Sequence, residues 1–177
     1  MCDLRNEPVV ISIPRISGRY FSLQLCDIFT NCPDYISSIA TGEGPGNYLL
    51  ARSDWDGTAP AGVDKVIKIP ATIVLVLGRT QYLYADDDVN DVDDSDDAKI
   101  IANSYKAMAL SEFTGDTQPS SSNKSVWPYD LYDSKTGSVE GFFQLFNDMV
   151  QYQLLNADDQ AMMKRFKAIG LEAGKPF

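Results

Sequence analysis

The spacing of the apolar residues changes once along this chain, and that change limits the possible folds more than any other feature. From Glu7 to Tyr84 the apolar residues come in short runs with the alternation of β-strands, as at Val9, Ile11 and Ile13. Beyond a run of aspartates they recur every three or four residues, as on one face of a helix. The pattern predicts an α+β fold, in which an antiparallel β-sandwich or partial barrel is followed by about three C-terminal helices.

The length of the chain favours one domain. With 177 residues, 44% of them hydrophobic, it can bury a single core, so residues 1–177 are treated as one unit. We expect a β-rich part at 5–84, an acidic loop at 85–97 and a helical part at 98–177. The predicted helices run from Ser95 or Asp97 to Glu112, around Phe142 to Tyr152, and from an N-cap at Asn156 to a left-handed cap at Gly170.

Two segments of the β-rich part carry specific predictions. Residues 73–77 are apolar at every position, which is typical of a strand buried on both faces, and Pro70 separates this strand from the one before. The glycine-rich segment from Thr41 to Gly46 is predicted to be a hairpin connection. It is not a phosphate loop, because no Lys-Ser or Lys-Thr follows it.

The negative charge of the chain is concentrated in one segment. The net charge is −10, and eight aspartates lie between residues 86 and 97. The spacing partly matches a calcium-binding loop, but Asp91 stands where the sharp turn needs glycine, so we expect a mobile solvated loop without a high-affinity metal site. Because no basic face is evident, no nucleic-acid partner is expected, and the longest apolar run is too short for a membrane span.

The chain contains no histidine, which excludes the Ser-His-Asp and Cys-His catalytic arrangements and all histidine metal sites. No motif points to a cofactor, so none is expected. The three cysteines are an odd number and favour a reduced protein in the cytoplasm. Cys26 and Cys32 can pair only if the chain turns back sharply between them, which Asn31 and Pro33 permit.

The candidate site lies in the strand-like segment from Gly18 to Asn31. Alternation places Asp27 on the same face as Phe21, Leu23 and Leu25, where a carboxylate is costly unless it is paired or hydrogen-bonded. The opposite face carries polar side chains that could line a pocket or contact a second sheet. These polar residues include Tyr20 and Gln24.

Arg79 is the candidate partner of Asp27. It follows Ile73, Leu75 and Leu77 on one alternating face, so we expect it to be partly buried. The favoured interpretation is an internal salt bridge between Asp27 and Arg79 that fixes two strands. The functional interpretation is an anion or carboxyl clamp, with Tyr20, Gln24 and Asn31 beside the pair.

Several segments resemble one family when taken together in order. They are Gly18 to Asn31, Thr41-Gly-Glu-Gly with Asn47-Tyr-Leu-Leu, Pro60-Ala-Gly-Val, Val76-Leu-Gly-Arg-Thr and Val139-Glu-Gly-Phe-Phe. They are similar to the domain-of-unknown-function 1254 family, which implies a β-sandwich with appended helices and no established activity. Members usually begin with a helical region and often continue into a second β domain, the domain of unknown function 1214. We expect both to be missing here.

Two classes of function remain open. The first is a non-catalytic module that binds a small molecule or assembles, either as a homo-oligomer or with a companion polypeptide. Residues 7–14 would then offer an open strand edge or apolar face to the partner. The alternative is an enzyme that acts on a small polar or anionic substrate, with Asp27 as acid or base and Arg79 as an anion clamp.

Overall fold

The structure is a computed structural model and describes residues 1–83, 94–116 and 137–177. In chain order the strands are β1 (Cys2–Asp3), β2 (Val9–Ile13), β3 (Phe21–Cys26), β4 (Asp34–Ser37), β5 (Gly46–Arg52), β6 (Lys65–Ile69), β7 (Ile73–Thr80) and β8 (Lys106–Ala109). The helices are α1 (Ser95–Ser104), α2 (Leu110–Thr114), α3 (Val139–Val150) and α4 (Ala157–Phe166), which continues into a 3₁₀ turn at Lys167–Ile169.

The strands form two four-stranded sheets, in the orders β1-β7-β3-β4 and β6-β5-β2-β8. One core cluster takes Phe21, Leu25 and Val74 from the first sheet and Ile11 and Leu50 from the second, so the sheets pack against each other. The predicted α+β fold with a β-sandwich is confirmed, and the sheets do not close into a barrel. The strand pairs are antiparallel except β5–β6. These two strands run parallel, and residues 53–64 connect the end of β5 to the start of β6.

The prediction of an open edge or an uncovered apolar face at residues 7–14 is wrong, because β2 lies between β5 and β8 and its residues Val10, Ile11 and Ile13 are buried. The same strand β8 overturns the prediction of one long helix to Glu112. Helix α1 ends at Ser104, the backbone at Tyr105 is extended, and β8 then pairs with β2 from Val9↔Ala109 to Ser12↔Lys106. Pairing with an available strand edge therefore overrides the helical spacing of this segment.

Two predictions for the β-rich part are also wrong. Strand β7 is not buried on both faces: Val74 is fully buried, whereas Leu75 is 41% exposed and Leu77 is 37% exposed. The glycine-rich segment is not a hairpin connection, because the strands on either side of it, β4 and β5, belong to different sheets.

Residues 84–93, which include most of the predicted acidic loop at 85–97, lie outside the described residues. At its end, Asp94 accepts two hydrogen bonds of 2.8 Å from the guanidinium of Arg19, just ahead of β3. Asp96 and Asp97 lie in the first turn of α1, where the helix dipole favours negative charge.

The C-terminal helices are capped and fastened to the sandwich. The side chain of Asn156 caps α4 by accepting a 2.9 Å bond from the amide of Asp159, and Gly170 has a φ of +87°, as predicted for both. Main-chain bonds then connect this part to the β6–β7 turn. The amide of Thr72 donates to Tyr152 at 2.7 Å.

Candidate functional site

The site is built around a tight turn that follows β3. The strand ends at Cys26, earlier than the sequence pattern predicts, and Asp27 begins the turn. The amide of Asp27 donates to the carbonyl of Asn31 at 3.0 Å, and the amide of Thr30 donates to the carbonyl of Asp27 at 3.1 Å. Thr30 takes a φ of +64°, which reverses the chain.

Asp27 is buried, with 4% of its surface exposed, and both its carboxylate oxygens are occupied. Oδ1 accepts 2.9 Å bonds from the amides of Phe29 and Asn31. Oδ2 accepts from the side-chain nitrogens of Asn31 at 3.0 Å and Gln153 at 2.9 Å. The predicted burial of Asp27 is confirmed. The four hydrogen bonds compensate the free-energy cost of removing the carboxylate from water.

Gln153 is a residue that sequence reasoning missed. It lies just after α3 and is 8% exposed, and its bond to Asp27 ties the β3 turn to the C-terminal part. Because 126 positions separate the two residues and nothing near Gln153 marks it as polar and buried, the sequence carries no signal for this contact.

The predicted salt bridge between Asp27 and Arg79 is wrong. Along β7, Arg79 shares the alternating face of Leu75 and Leu77, and this face is turned away from the core. The Arg79 side chain is exposed, and its Nη1 donates a 2.8 Å bond to Oε1 of Gln24. Arg79 therefore holds a neighbouring strand through Gln24 and does not neutralise Asp27.

We call the outer face the side of β7, β3 and β4 that points away from the core. Its members are Leu75, Leu77 and Arg79 on β7, Gln24 and Cys26 on β3, and Tyr35 on β4, together with the buried Ile73, Ser22 and Ser37. The strand register places Leu77, Gln24 and Tyr35 in one row across the three strands. Tyr35 is 41% exposed, so this row presents apolar surface on both sides of the Gln24 amide.

Two thiols meet at the end of the outer face. The Sγ atoms of Cys26 and Cys32 lie 3.5 Å apart, and Nε2 of Gln24 lies 2.8 Å from Cys32 Sγ. Hydrogen bonds from Gln24, Cys26 and Tyr35 lower the pKa of Cys32. Burial, followed by the bond with Cys32, raises the pKa of Cys26. The sharp reversal that the sequence requires for this pairing is present, and both thiols are free.

The structure divides the five predicted site residues. Gln24 and Arg79 bind each other on the outer face, whereas Asp27 and Asn31 bind each other within the turn. Tyr20 is 41% exposed just before β3, and its amide donates a 2.8 Å bond to Oε1 of Gln81. The five residues therefore do not form one polar clamp.

A cavity of about 480 Å³ lies elsewhere, between the β1–β2 connection and the segment after β5. Its lining includes Arg5, Arg52 and the half-buried Trp55. Both arginines at its rim are paired with aspartates, Arg5 with Asp3 at 2.6 Å and Arg52 with Asp54, and the carboxylates Glu7 and Asp56 also line it. Its cations are therefore already neutralised.

Within residues 1–83, 94–116 and 137–177, which the structure describes, no three or more cysteine, aspartate or glutamate side chains cluster so that they could hold a metal ion. No helix within these ranges has both the length and the apolar character needed to cross a bilayer.

Comparison with known proteins identifies the family. The chain resembles the crystal structure of the VPA0106 protein from Vibrio parahaemolyticus, a Northeast Structural Genomics Consortium target, with a TM-score of 0.73 and 25% identity. The likeness covers 98% of this chain but 40% of that chain. No curated protein matches. Residues 1–107, more than half of the chain, match the protein family of unknown function DUF1254. The chain belongs to the DUF1254 family.

Proposed function

We propose that this chain is a non-catalytic assembly module whose outer face packs against the outer face of a second copy. The observation that carries the proposal is the exposure of Leu75 (41%), Leu77 (37%) and Tyr35 (41%) on one side of a sheet whose other side is core. Apolar surface grouped in this way marks association sites. Two sheets can pack face to face at about 10 Å, which suits a flat surface of this kind.

The charges of the outer face favour a second copy as the partner. Among the outward side chains of β7, β3 and β4, Arg79 is the charged one, and Gln24 already binds it. A two-fold dimer brings the same patch of both copies together, and an apolar patch with few charges is compatible with itself.

The enzyme alternative has less support. General acid-base catalysis needs a carboxylate within reach of a substrate, whereas Asp27 is 4% exposed and accepts four hydrogen bonds. Arg79, the proposed anion clamp, lies on the outer face and not beside that carboxylate.

We also propose a cytoplasmic location and no nucleic-acid partner. The free state of the three thiols suits a reducing compartment.

Light scattering on the purified chain, over a wide range of concentration, tests the proposal. We expect a dimer for the wild type and for Ile100→Lys, which changes an exposed aliphatic residue of α1 away from the outer face. Leu77→Lys should be a monomer that keeps the wild-type circular dichroism spectrum and unfolds cooperatively, at a midpoint lowered by the loss of the stabilisation that association gives the wild type. A wild type that stays monomeric at high concentration, or a Leu77→Lys variant that remains dimeric, refutes the proposal.

A second candidate function is small-molecule binding in the 480 Å³ cavity. Its size is within the usual range for ligand pockets, and its lining includes the half-buried indole of Trp55, whose ring also contacts the ammonium of Lys68 at 4.8 Å. Because the cations are paired and two further carboxylates line the cavity, the ligand should be an aromatic compound that carries no negative charge. A thermal-shift screen with such compounds should raise the unfolding temperature of the wild type but not of Trp55→Ala. If no compound stabilises the wild type selectively, this second function is rejected.

A further inference from the structure

The turn after β3 holds two thiols at reacting distance without a bond between them. Cys26 ends β3 and Cys32 follows the turn, and their Sγ atoms lie 3.5 Å apart. The bonds that Asp27 makes within the turn fix this geometry. The sulfurs need to approach by about 1.5 Å more to reach the disulfide bond length of about 2.05 Å.

We propose that Cys26 and Cys32 are a redox-responsive thiol pair, which small-molecule disulfides convert into an intramolecular disulfide. Cys32 is the residue that reacts first and Cys26 is the one that resolves the intermediate. Accessibility supports this order: Cys32 is half-buried, whereas Cys26 is 6% exposed. Disulfides of this kind inside cells are transient and serve redox sensing or catalysis.

The surroundings of the two sulfurs give them different reactivity. The attacking species is a thiolate, and the hydrogen bond from Gln24 to Cys32 stabilises that form. Arg79 orients the same amide, because it binds Oε1 and leaves Nε2 directed at the sulfur. Cys26 is held in its neutral form by burial until Cys32 has reacted.

The reaction has two balanced steps. The Cys32 thiolate attacks one sulfur of a disulfide RSSR, forms a mixed disulfide with that sulfur, and releases RS⁻. Cys26 then loses its proton to solvent and attacks Cys32 Sγ, which forms the Cys26–Cys32 bond and releases the second RS⁻. Both cysteines are oxidised, and RSSR is reduced to two thiols.

The test treats the folded full-length chain with oxidised glutathione, blocks the remaining thiols by alkylation, and maps the products by mass spectrometry. In the wild type we expect a Cys26–Cys32 disulfide with Cys2, which is buried, still free. In Cys26→Ser the mixed disulfide between Cys32 and glutathione should persist, because nothing resolves it. In Cys32→Ser, Cys26 should stay unmodified.

A second measurement tests the polar surroundings. In the reduced protein, Cys32 should be alkylated about 10-fold faster than Cys2 or Cys26. In Gln24→Leu the pH profile of Cys32 alkylation should move to higher pH, which a merely structural role of Gln24 would not produce. The proposal is overturned if wild-type Cys32 stays free, stops at the mixed disulfide, or reacts no faster than Cys2.

The reactivity of the Cys26–Cys32 pair does not depend on the proposed assembly. Repeating the oxidation on Leu77→Lys separates the two, because that variant is expected to be a monomer with both cysteines in place. Disulfide formation in both the wild type and a monomeric Leu77→Lys supports the thiol pair whatever the wild-type oligomeric state. Absence of the disulfide in both proteins rejects the thiol pair and leaves the assembly proposal intact.

Discussion

Replacing Asp27 by alanine should destabilise the fold, although Asp27 lies outside regular secondary structure. The carboxylate accepts four hydrogen bonds, two from backbone amides of its own turn and two from the side chains of Asn31 and Gln153. Asn31 is exposed, so its donors can turn to water in the variant. Gln153 is 8% exposed, so its amide would lose its partner without gaining solvent.

The size of the destabilisation follows from the different access to solvent of Asn31 and Gln153. A buried donor left without a partner costs about 1–3 kcal/mol, and the weakened turn adds about 1 kcal/mol. Alanine also removes the cost of burying the carboxylate, which offsets part of the loss. We therefore expect the free energy of unfolding to fall by about 1–3 kcal/mol. Asp27→Asn keeps the shape of the side chain but turns an amide group toward Gln153, so we expect it to be destabilised as well.

Urea denaturation followed by circular dichroism measures the effect. Asp158→Ala, which removes an exposed carboxylate, is the control and should leave the midpoint nearly unchanged. A double-mutant cycle with Gln153→Leu isolates the contact: the combined loss should be smaller than the sum of the two single losses. An unchanged midpoint in Asp27→Ala, or additive losses in the cycle, would show that the Asp27–Gln153 bond does not stabilise the fold.

Three other variants give sharp expectations. The hydrogen bonds from Arg19 lower the pKa of Asp94 in the folded protein. The stability that these bonds add is therefore fully present above the pKa of about 3.9 that Asp94 has in the unfolded chain, and it is lost as the pH falls through the lower pKa of the folded protein. Urea titrations of Asp94→Asn should therefore vary less with pH in that acidic range. Asn147→Ala should lower the free energy of unfolding by about 2–4 kcal/mol, because the fully buried amide makes three hydrogen bonds that hold the C-terminal tail. Gly44→Ala should lower the thermal midpoint more than Gly18→Ala: both have positive φ, but only at Gly44 would a Cβ lie 2.6 Å from a backbone oxygen.

The sequence predicts the architecture well where local signals agree. Strand alternation identifies the β-rich part, and Asn156 and Gly170 mark the bounds of the last helical segment because caps depend on a few adjacent residues. Local signals fail at β8. Together with Ile101, the residues of β8 have the spacing of a helix face. They nevertheless form a strand, because the edge of β2 offers backbone hydrogen bonds that the spacing of apolar residues does not indicate.

The candidate site is less predictable, for a physical reason. Period-two alternation groups Arg79 with Leu75 and Leu77, but it does not show which face the core covers, so the expected partial burial of Arg79 is wrong. Leu75 and Leu77 suggest a buried face. Only the packing of the two sheets shows that these two side chains point away from the core and are exposed. The contact with Gln153 depends on how the C-terminal part docks, which no local pattern encodes.

The turn at Asp27 explains why the same segment is unsuited to acid-base chemistry and suited to thiol chemistry. A carboxylate that accepts four hydrogen bonds stabilises a fixed reversal of the chain, and those bonds leave it little capacity to take a proton from a substrate. The fixed reversal brings Cys32 back to Cys26 and beneath the Gln24 amide. Of the polar residues that suggest a substrate clamp in the sequence, all but Tyr20 thus position the two sulfurs, whose reactivity depends on being held close together in unlike surroundings.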